Sequence, residues 1–439
     1  MKKGKFKILT VAVSALCMAA LVTACGGDDT PAAKCTEHKW NDGEIVTTAT
    51  CGARGIKKFT CTVCSDTKTE RYGEATGAHS YDGKECSVCG YVDMSDMTAE
   101  AAIAQYGYYH VDADDSHTVN TGDHIHFGSY PQAEVKDGEL TATLAGKLSS
   151  SGWASYGYYA EGALNDGLMS YQDVTDGGAK YRAVKIDGYR PFYTDLAATS
   201  ANSIVYENGY RTGNIYWFAF APIEWRVLDY ENGEAMLNTA DCIDSQSYNN
   251  TYDKNGAQYY NKGTEIFSNE WEHSAIRSYL NGTFFNTAFS SAEQAKMVQK
   301  TLKNSDTGFN ATSNYSVSQK DTNDKVYLLS YQDLLNKSYG FPNDMMHDNN
   351  DPADLSVCKL GTDYALCQGA RTSVQSPGSW WMLRSAGGKS FSICGVTKYG
   401  SITNSNTASY TPGNNTKTEG IAFNTSEGVS PVVNIKIGK

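Results

Sequence analysis

Cysteine and histidine residues are concentrated in one short stretch of the chain, between positions 35 and 92. Several of them stand two residues apart, a spacing with which a tight turn directs both side chains at one metal ion about 2.0–2.3 Å away. Thiolate and imidazole are the ligands that Zn²⁺ prefers, and this stretch offers enough of them for two four-coordinate sites. The predicted metal ligands are Cys35, His38, Cys51, Cys61, Cys64, His79, Cys86 and Cys89.

The same stretch has few apolar side chains around which it could fold, and a domain this small usually needs a metal or disulfides for stability. Its six cysteines could instead form three disulfides in an exported protein. We favour structural zinc, because disulfides have no use for histidine and Cys-x2-Cys pairs are poor disulfide partners. Two divisions of the ligands stay open. In one, Cys51, Cys61, Cys64 and His79 form a site nested inside the other four; in the other, the first two ligand pairs share a metal.

The order of these motifs resembles small Cys/His modules that recur in surface proteins of Gram-positive anaerobes. The matching segments are Cys35–Trp40, Ala49–Cys51, Cys61–Cys64, Gly77–Tyr81 and Cys86–Gly90. The resemblance implies a zinc-ribbon-like β module over residues 35–92 that serves as a spacer without catalysis. Where protein ligands close every position, no room is left for the water that catalytic zinc needs.

Residues 1–24 have the pattern of an export signal, in which four lysines precede an apolar run. The run is shorter than the roughly 20 apolar residues of a membrane span. Leu21–Cys25 resembles the bacterial lipobox, which implies cleavage before Cys25 and a diacylglycerol on its thiol. Such a two-chain anchor would hold the protein on the extracellular face of the cell membrane, with residues 25–34 as a linker. An ordinary secretory signal with a chance cysteine is the alternative.

The formal charge of the whole chain is -12. The signal contributes four lysines and no acid, so its removal takes the charge from -12 to -16. Phosphate binding needs clustered lysine and arginine, and this balance argues against nucleic acid as a partner. It suits a protein held away from an anionic cell surface.

Downstream of the module, the sequence predicts a linker helix at residues 93–106 and one large domain at residues 107–439. Short runs of alternating apolar and polar residues in the large domain predict half-buried strands. These runs are Ile125–Gly128, Tyr216–Phe220, Ile223–Asp229, Ala235–Leu237, Val326–Leu329, Trp380–Leu383 and Val432–Ile437. Helices are predicted over Asn269–Leu280, after a capping box at Ser290 and Glu293, and near Asp333. The fold class is therefore α+β, a small β module followed by a larger β-rich domain with few short helices.

Phrases spread over the large domain resemble a domain of unknown function that is frequent in secreted lipoproteins of Gram-positive anaerobes. They are Phe127–Gln132, Pro222–Leu228, Trp271–Asn281, Lys325–Ser330, Trp380–Ser385 and Gly428–Val433. Ser430 departs from that pattern, where the family often has arginine. The last part also looks like C-type-lectin-like modules, the fold of formylglycine-generating enzymes. The two reactive cysteines of those enzymes have no clear counterpart here, so the resemblance implies architecture and no catalytic residue.

Other residues of the large domain carry weaker chemical signals. His124 and His126 face the same way on a predicted strand, which could hold a metal, but no third ligand is evident nearby. Four aspartates crowd an Asn-rich loop, namely Asp344, Asp348, Asp351 and Asp354. Calcium is not expected there, because the glycine and closing glutamate of an EF-hand are missing. Four cysteines could include a nucleophile or a disulfide, although free cysteine is more often buried and inert; they are Cys242, Cys358, Cys367 and Cys394.

Trp380, Trp381 and Arg384 form the most distinctive cluster of the large domain. On a strand, one tryptophan points inward and the other outward. An outward tryptophan beside Arg384 could stack on a sugar ring, and we take the three residues as a candidate ligand site. In the alternative, both tryptophans belong to the core and Arg384 forms a buried ion pair. The sequence contains no Gly-rich phosphate loop, serine nucleophile elbow or paired-carboxylate motif.

These patterns lead to one main hypothesis and two alternatives. The main hypothesis is a cell-surface lipoprotein in which a structural zinc stalk carries a C-type-lectin-like head that recognises a glycan or a surface protein. The first alternative is an extracellular enzyme acting on a cell-wall or polysaccharide substrate, which a cleft with converging carboxylates or a reactive cysteine would favour. The second is a structural surface spacer, which a head without a pocket would favour.

Overall fold

The computed structural model describes residues 38–47, 55–65, 67–73, 80–87, 97, 108–110, 120–157, 167–249, 266–304, 319–342, 356–372, 378–403 and 420–437. The fold is mostly β with a few short helices, which confirms that part of the expectation. Cys25, the predicted helix that follows the module, and the aspartates between positions 344 and 354 lie outside the described residues. Among the described residues, no helix has the length and apolar character needed to cross a membrane.

The Cys/His stretch contains two small antiparallel sheets. Strands β1 (Glu44–Thr47), β2 (Gly55–Thr60) and β3 (Thr67–Tyr72) form a three-stranded sheet in that order. Strands β4 (Tyr81–Asp82) and β5 (Glu85–Cys86) form a hairpin.

A ten-stranded sheet dominates the rest of the chain. Its members are β6 (Tyr108–His110), β7 (His124–Glu134), β8 (Ala154–Ser155), β9 (Met169–Asp176), β10 (Ala179–Ile186), β11 (Ile215–Glu231), β12 (Glu234–Thr239), β14 (Met297–Val298), β17 (Val326–Leu328) and β22 (Pro431–Lys436). The predicted strand runs between Ile125 and Leu329, together with Val432–Ile437, fall largely on these members. Strands β9 and β10 form an antiparallel hairpin, in which Tyr181 pairs with Val174.

The 17-residue strand β11 is the longest strand of this sheet and has partners along both of its edges. Ala219 pairs with both β7 and β10, so these two strands lie on opposite edges of β11. Trp225 pairs with both β7 and β12, which places β12 beyond β10 on the same edge. Strand β22 in turn pairs with β12, β14 and β17.

A five-stranded sheet carries the residues near Trp381. Its order is β13 (Asp244–Ser245), β21 (Gly428–Val429), β18 (Trp381–Ala386), β19 (Ile393–Val396) and β20 (Ile402–Thr403). Strands β15 (Lys300–Leu302) and β16 (Thr322–Asp324) form a separate pair.

The described α-helices are short and are numbered here in chain order. They are α1 (Gly138–Ala145), α2 (Ile204–Glu207), α3 (Ala275–Tyr279), α4 (Phe285–Ala288), α5 (Ser291–Lys296), α6 (Tyr331–Leu335) and α7 (Asp363–Cys367). Short 3₁₀ turns lie at Ser200–Asn202, Trp271–His273 and Lys337–Tyr339, and a π-helical turn at Leu280–Phe284 joins α3 to α4. The capping box predicted at Ser290 and Glu293 begins α5, and a second one, with Ser330 and Asp333, begins α6.

The prediction of one continuous helix over Asn269–Leu280 is wrong, because the helical segment is interrupted at Ser274. The 3₁₀ turn at Trp271–His273 ends at Ser274, whose backbone is extended. Ser274 then caps α3 by accepting a hydrogen bond from the backbone N–H of Arg277. Serine at this position competes for backbone hydrogen bonds and so favours a helix start over a helix interior.

One extended hydrophobic core contains the fully buried Trp225, Trp271 and Trp381. Each indole N–H donates a hydrogen bond inside the core, to the Phe127 carbonyl, the Asp324 carboxylate and the Val357 carbonyl respectively. These bonds satisfy the polar atom that each large side chain carries into the interior.

Gly128 connects the core to the capping box of α5. Its φ is +72°, and a Cβ there would lie 2.7 Å from the ring of Phe289. Its backbone N–H donates to Glu293 Oε1 at 2.9 Å. Only glycine meets both the conformational and the steric requirement of this approach.

Candidate functional site

Three predicted metal ligands converge in the small module. His38 precedes β1, Cys61 follows β2, and Cys64 lies in the turn after Cys61. One ligand atom from each residue lies within 4.8 Å of the others, and Cys64 Sγ is 3.3 Å from His38 Nδ1. Such a group could hold a metal ion.

The turn between Cys61 and Cys64 has the local structure that a two-residue spacing requires. The N–H of Val63 donates to Cys61 Sγ at 3.4 Å, and the N–H of Ser65 donates to the Cys61 carbonyl at 3.0 Å. Ser65 adopts a left-handed φ of 62° where glycine would be free of strain. A backbone bridge between Trp40 and Cys61 brings the His38 segment alongside.

The surroundings of Cys61 favour the thiolate that binds a metal. Burial by itself would raise the pKa of the thiol. Hydrogen bonds from the N–H groups of Cys64 and Val63, and from the His38 side chain, outweigh burial and lower the pKa to about 6. The imidazole of His38 stacks on Trp40 at 4.9 Å between ring centroids, which orients the ring.

Of the remaining predicted ligands, the structure describes Cys86. Cys86 is buried in β5. Cys35, Cys51, His79 and Cys89 lie outside the described residues.

A cleft of about 520 Å³ lies around Arg384 in the large domain. Its lining comes from distant parts of the chain: Asp229 and Glu231 on β11, Glu234 and Met236 on β12, Lys300 to Lys303 on and after β15, Tyr327 on β17, Asp333 on α6, Tyr339 in the 3₁₀ turn and Asn434 on β22. The volume lies within the range of about 300–1,000 Å³ typical of small-molecule sites.

Hydrogen bonds hold the floor of this cleft in place. Arg384 Nη1 donates to Asp333 Oδ2 at 2.7 Å and to the Leu328 carbonyl at 2.8 Å. Asn434 accepts from the Tyr327 hydroxyl at 2.6 Å and donates to Glu234 Oε1 at 3.0 Å. Lys300 Nζ lies 2.7 Å from the same Glu234 oxygen. Partial burial, with Asp333 and Asp229 nearby, raises the pKa of the Tyr339 phenol.

The two tryptophans of the sequence-predicted ligand site have different surroundings. Trp381 is fully buried in the core, where it cannot reach a ligand. Trp380 is half-buried between the cations of Arg371 and Lys398, which lie 5.0 and 5.3 Å from its ring centroid. Arg384, 7% exposed, lines the cleft and carries the ion pair to Asp333. Of the three residues, only Arg384 lines this cleft.

His124 and His126 lie on β7, opposite Arg226 and Glu224 of β11 in the strand register. His124 Nδ1 is 2.6 Å from Glu224 Oε1, a partner that sequence spacing alone does not suggest. Burial opposes the ionised carboxylate, but the hydrogen bond from His124 and the nearby His126 lower the pKa of Glu224.

The four cysteines of the large domain are buried and not in disulfides. Burial raises the pKa of Cys242, Cys367 and Cys394, the last to about 12. Thiols held in the protonated form are poor nucleophiles. The raised pKa values therefore do not favour Cys242, Cys367 or Cys394 as a nucleophile.

Two buried groups without a sequence motif also stand out. Asp244 accepts hydrogen bonds from the hydroxyls of Tyr130 and Tyr279, and burial raises its pKa. Lys359 is fully surrounded by protein and donates to Asn238 Oδ1 at 2.7 Å; burial lowers its pKa to about 8. Both groups are buried, and their hydrogen bonds connect segments of the interior.

Residues 232–437 match the family model described as Domain of unknown function (DUF6273). The match confirms the expectation of a C-terminal region with no assigned function. Neither a curated protein nor a solved structure matches the chain. Most of the lining of the Arg384 cleft, from Glu234 to Asn434, falls in the matched region, whereas His38, Cys61 and Cys64 lie outside it.

Proposed function

We propose that the chain is a lipoprotein held on the extracellular face of the cell membrane through Cys25, in which a zinc-stiffened module presents a β-rich, C-type-lectin-like head that binds a glycan or a surface protein. The observation that carries the proposal is the convergence of His38, Cys61 and Cys64. A set of closely spaced thiolates and imidazole is typical of structural zinc.

The geometry favours one division of the ligands. His38 lies beside Cys61 and Cys64, whereas the nested division assigns His38 and these cysteines to different metals. We therefore propose one zinc held by Cys35, His38, Cys61 and Cys64, and a second held by Cys51, His79, Cys86 and Cys89. Four protein ligands at each metal fit a structural role, because no position is open for water.

The proposed binding role of the head is supported by the Arg384 cleft. A concave site with a few convergent polar groups is the usual form of a binding site. The buried cysteines, with pKa values raised by burial, do not favour thiol catalysis.

The division of ligands is tested by measuring zinc per chain in the purified full-length protein and in two matched variants. We expect about two zinc ions in the wild type. Cys64→Ser should lose one zinc and release the Cys61 thiol to a thiol reagent. Cys86→Ser should lose the other and leave Cys61 protected. Loss of protection at Cys61 in both variants would contradict the division. Metal-free protein with three disulfides would contradict the zinc module.

An extracellular enzyme is the second candidate, because the Arg384 cleft gathers the carboxylates of Asp229, Glu231, Glu234 and Asp333. Paired carboxylates are the groups that hydrolyse glycosidic bonds. Incubation with oligosaccharides, followed by product analysis, separates the two candidates. Products that disappear in Asp229→Asn would favour the enzyme, and binding without turnover would favour the binding protein.

A further inference from the structure

The cations of the Arg384 cleft are already paired with anions of the protein. Lys300 is paired with Glu234, Lys303 with Asp321, and Arg384 with Asp333. Asp229 and Glu231, by contrast, form no ion pair within the described parts of the chain. The two acids stand two residues apart on β11, and side chains at that spacing project from the same face of a strand. The rim of the cleft beside β11 therefore carries uncompensated negative charge.

Arg384 still has unused hydrogen-bond donors at the floor. The side chain is more than nine-tenths buried, and Nη1 makes both of its hydrogen bonds. The buried Nε has no hydrogen-bond partner, and Nη2 has none among the described residues. An unsatisfied donor is unfavourable in the interior, so a ligand oxygen that reaches Nη2 from the cleft supplies a missing hydrogen-bond partner.

These two features restrict the charge of the ligand. An anion at Arg384 would face the carboxylates of Asp229 and Glu231. A ligand ammonium at those carboxylates has only donors, so it cannot accept a hydrogen bond from Arg384. A neutral group that both accepts and donates hydrogen bonds satisfies both sides, and the hydroxyl is such a group. Neighbouring hydroxyls on one ring would match the Nη2 donors of Arg384 on one side and the carboxylate oxygens on the other.

We propose that the Arg384 cleft binds an uncharged sugar ring, with ring hydroxyls accepting from Arg384 and donating to Asp229 and Glu231. Met236 and the half-buried Tyr339 supply apolar surface for the C–H face of the ring. Asn434, held between Tyr327 and Glu234, is fixed before the ligand arrives. This inference rests on the proposed binding role of the head and deepens it by naming the ligand class and the site.

The test is calorimetric titration of the full-length lipidated chain in detergent with three sets of trisaccharides. The neutral set is maltotriose, cellotriose, mannotriose and N-acetylchitotriose. The acidic probe is trigalacturonate and the basic probe is the glucosamine trimer. At about 10 mM sugar, binding with a dissociation constant near 1 mM is visible. We expect binding of at least one neutral sugar and of neither charged probe.

Three variants locate the binding. Glu231→Gln should weaken the neutral sugar about fivefold, the effect of one lost hydrogen bond. Asp229→Asn combined with Glu231→Gln should weaken it further and allow trigalacturonate to bind, because the repulsion is gone. Asp187→Asn, an exposed acid paired with Lys185 elsewhere, is the matched control and should change nothing. Both acids of the rim are accessible, so these variants need not disturb the fold.

Each contrary result has a distinct meaning. Neutral sugar binding that none of the cleft variants weakens would overturn the site and leave a sugar-binding head. Preference for the acidic or the basic probe would overturn the charge argument. Absence of binding to every probe would overturn the sugar proposal. The proposed binding role would then be tested separately, by measuring whether the same chain binds a purified surface protein.

Discussion

Arg384 Nη1 lies 2.7 Å from Asp333 Oδ2, and the same carboxylate oxygen accepts the backbone N–H of Ser330 at 2.7 Å. One carboxylate thus ties β18 to the first turn of α6 and neutralises a guanidinium that is 7% exposed. The ion pair therefore connects two elements of the fold and also forms the floor of the cleft.

Replacing Asp333 with asparagine should destabilise the chain by roughly 3 kcal/mol, because a buried guanidinium loses its counter-charge. Urea unfolding followed by tryptophan fluorescence measures the change. Asp321→Asn, in the exposed pair with Lys303, is the control and should cost less than about 1 kcal/mol. Equal effects of the two substitutions would mean that the Arg384 pair contributes no more than a surface pair.

Gly128→Ala should be far more damaging than Gly209→Ala. Both glycines have left-handed φ values, +72° and +97°, so each substitution carries a backbone cost of about 1–2 kcal/mol. A Cβ at Gly128 would also meet the Phe289 ring at 2.7 Å, whereas one at Gly209 meets nothing within 4 Å. We expect roughly 1–3 kcal/mol of additional loss at Gly128 from overpacking. Matching melting temperatures of the two variants would refute the close approach.

Lys359 should make the stability depend on pH between 8 and 10. Burial lowers its pKa from 10.5 to about 8, so the folded chain releases this proton before the unfolded chain does. The free-energy cost, roughly 3 kcal/mol, is fully present below pH 8 and disappears as the pH rises toward 10.5. The stability of the wild type relative to Lys359→Met should therefore rise from pH 7 to pH 9.5. A difference between the wild type and Lys359→Met that falls over this range would contradict the lowered pKa of Lys359.

The cysteines of the large domain should be inert in the native protein. Burial raises the pKa of Cys394 to about 12 and that of Cys367 well above its usual value, so almost no thiolate is present at pH 8. Iodoacetamide labelling with peptide mapping should leave both unmodified until denaturant is added. Native labelling of Cys394 would point to an opening of β19 that burial alone does not suggest.

Metal retention in the small module should depend on acid. Metal ligands must be deprotonated, and the surroundings of Cys61 lower its thiol pKa to about 6. Zinc should stay bound at pH 7 and be released only at a pH well below 6, because the bound metal competes with protons for the thiolate. A chromogenic zinc indicator detects the release. Amide hydrogen exchange should then rise in β2 and β3 and not in β11. Acid-insensitive protection of β2 and β3 would indicate that these strands need no metal.

Local patterns predicted local features. Alternation placed most strands, and the Ser290–Glu293 spacing predicted a capping box that the structure confirms. The two-residue spacing of Cys61 and Cys64 likewise describes one turn, and both side chains meet His38. Each of these features depends on residues close together in sequence, where spacing and propensity decide the geometry.

The cleft could not be predicted in this way. Its lining comes from six strands, a helix and a turn, and the partners of Arg384 and Asn434 lie 51 and 200 residues away in sequence. The sequence identified Arg384 as part of a distinctive cluster with Trp380 and Trp381, but it could not identify Asp333 as the partner of Arg384. The interruption at Ser274 was also not predicted. The apolar residues of this segment follow a helical spacing on both sides of Ser274, and this pattern does not show that Ser274 caps a new helix.

Strand β22 gives a partner to β12, β14 and β17, all of which precede it in the chain. During synthesis these strands exist before residues 431–436 do, and unpaired strand edges are templates for association between chains. The largest sheet is therefore completed late, after loops of more than 100 residues close, which makes folding slow. A chain that lost residues 431–436 would keep most of its apolar core and expose unpaired edges on β12, β14 and β17. We therefore expect such a chain to aggregate rather than simply to unfold.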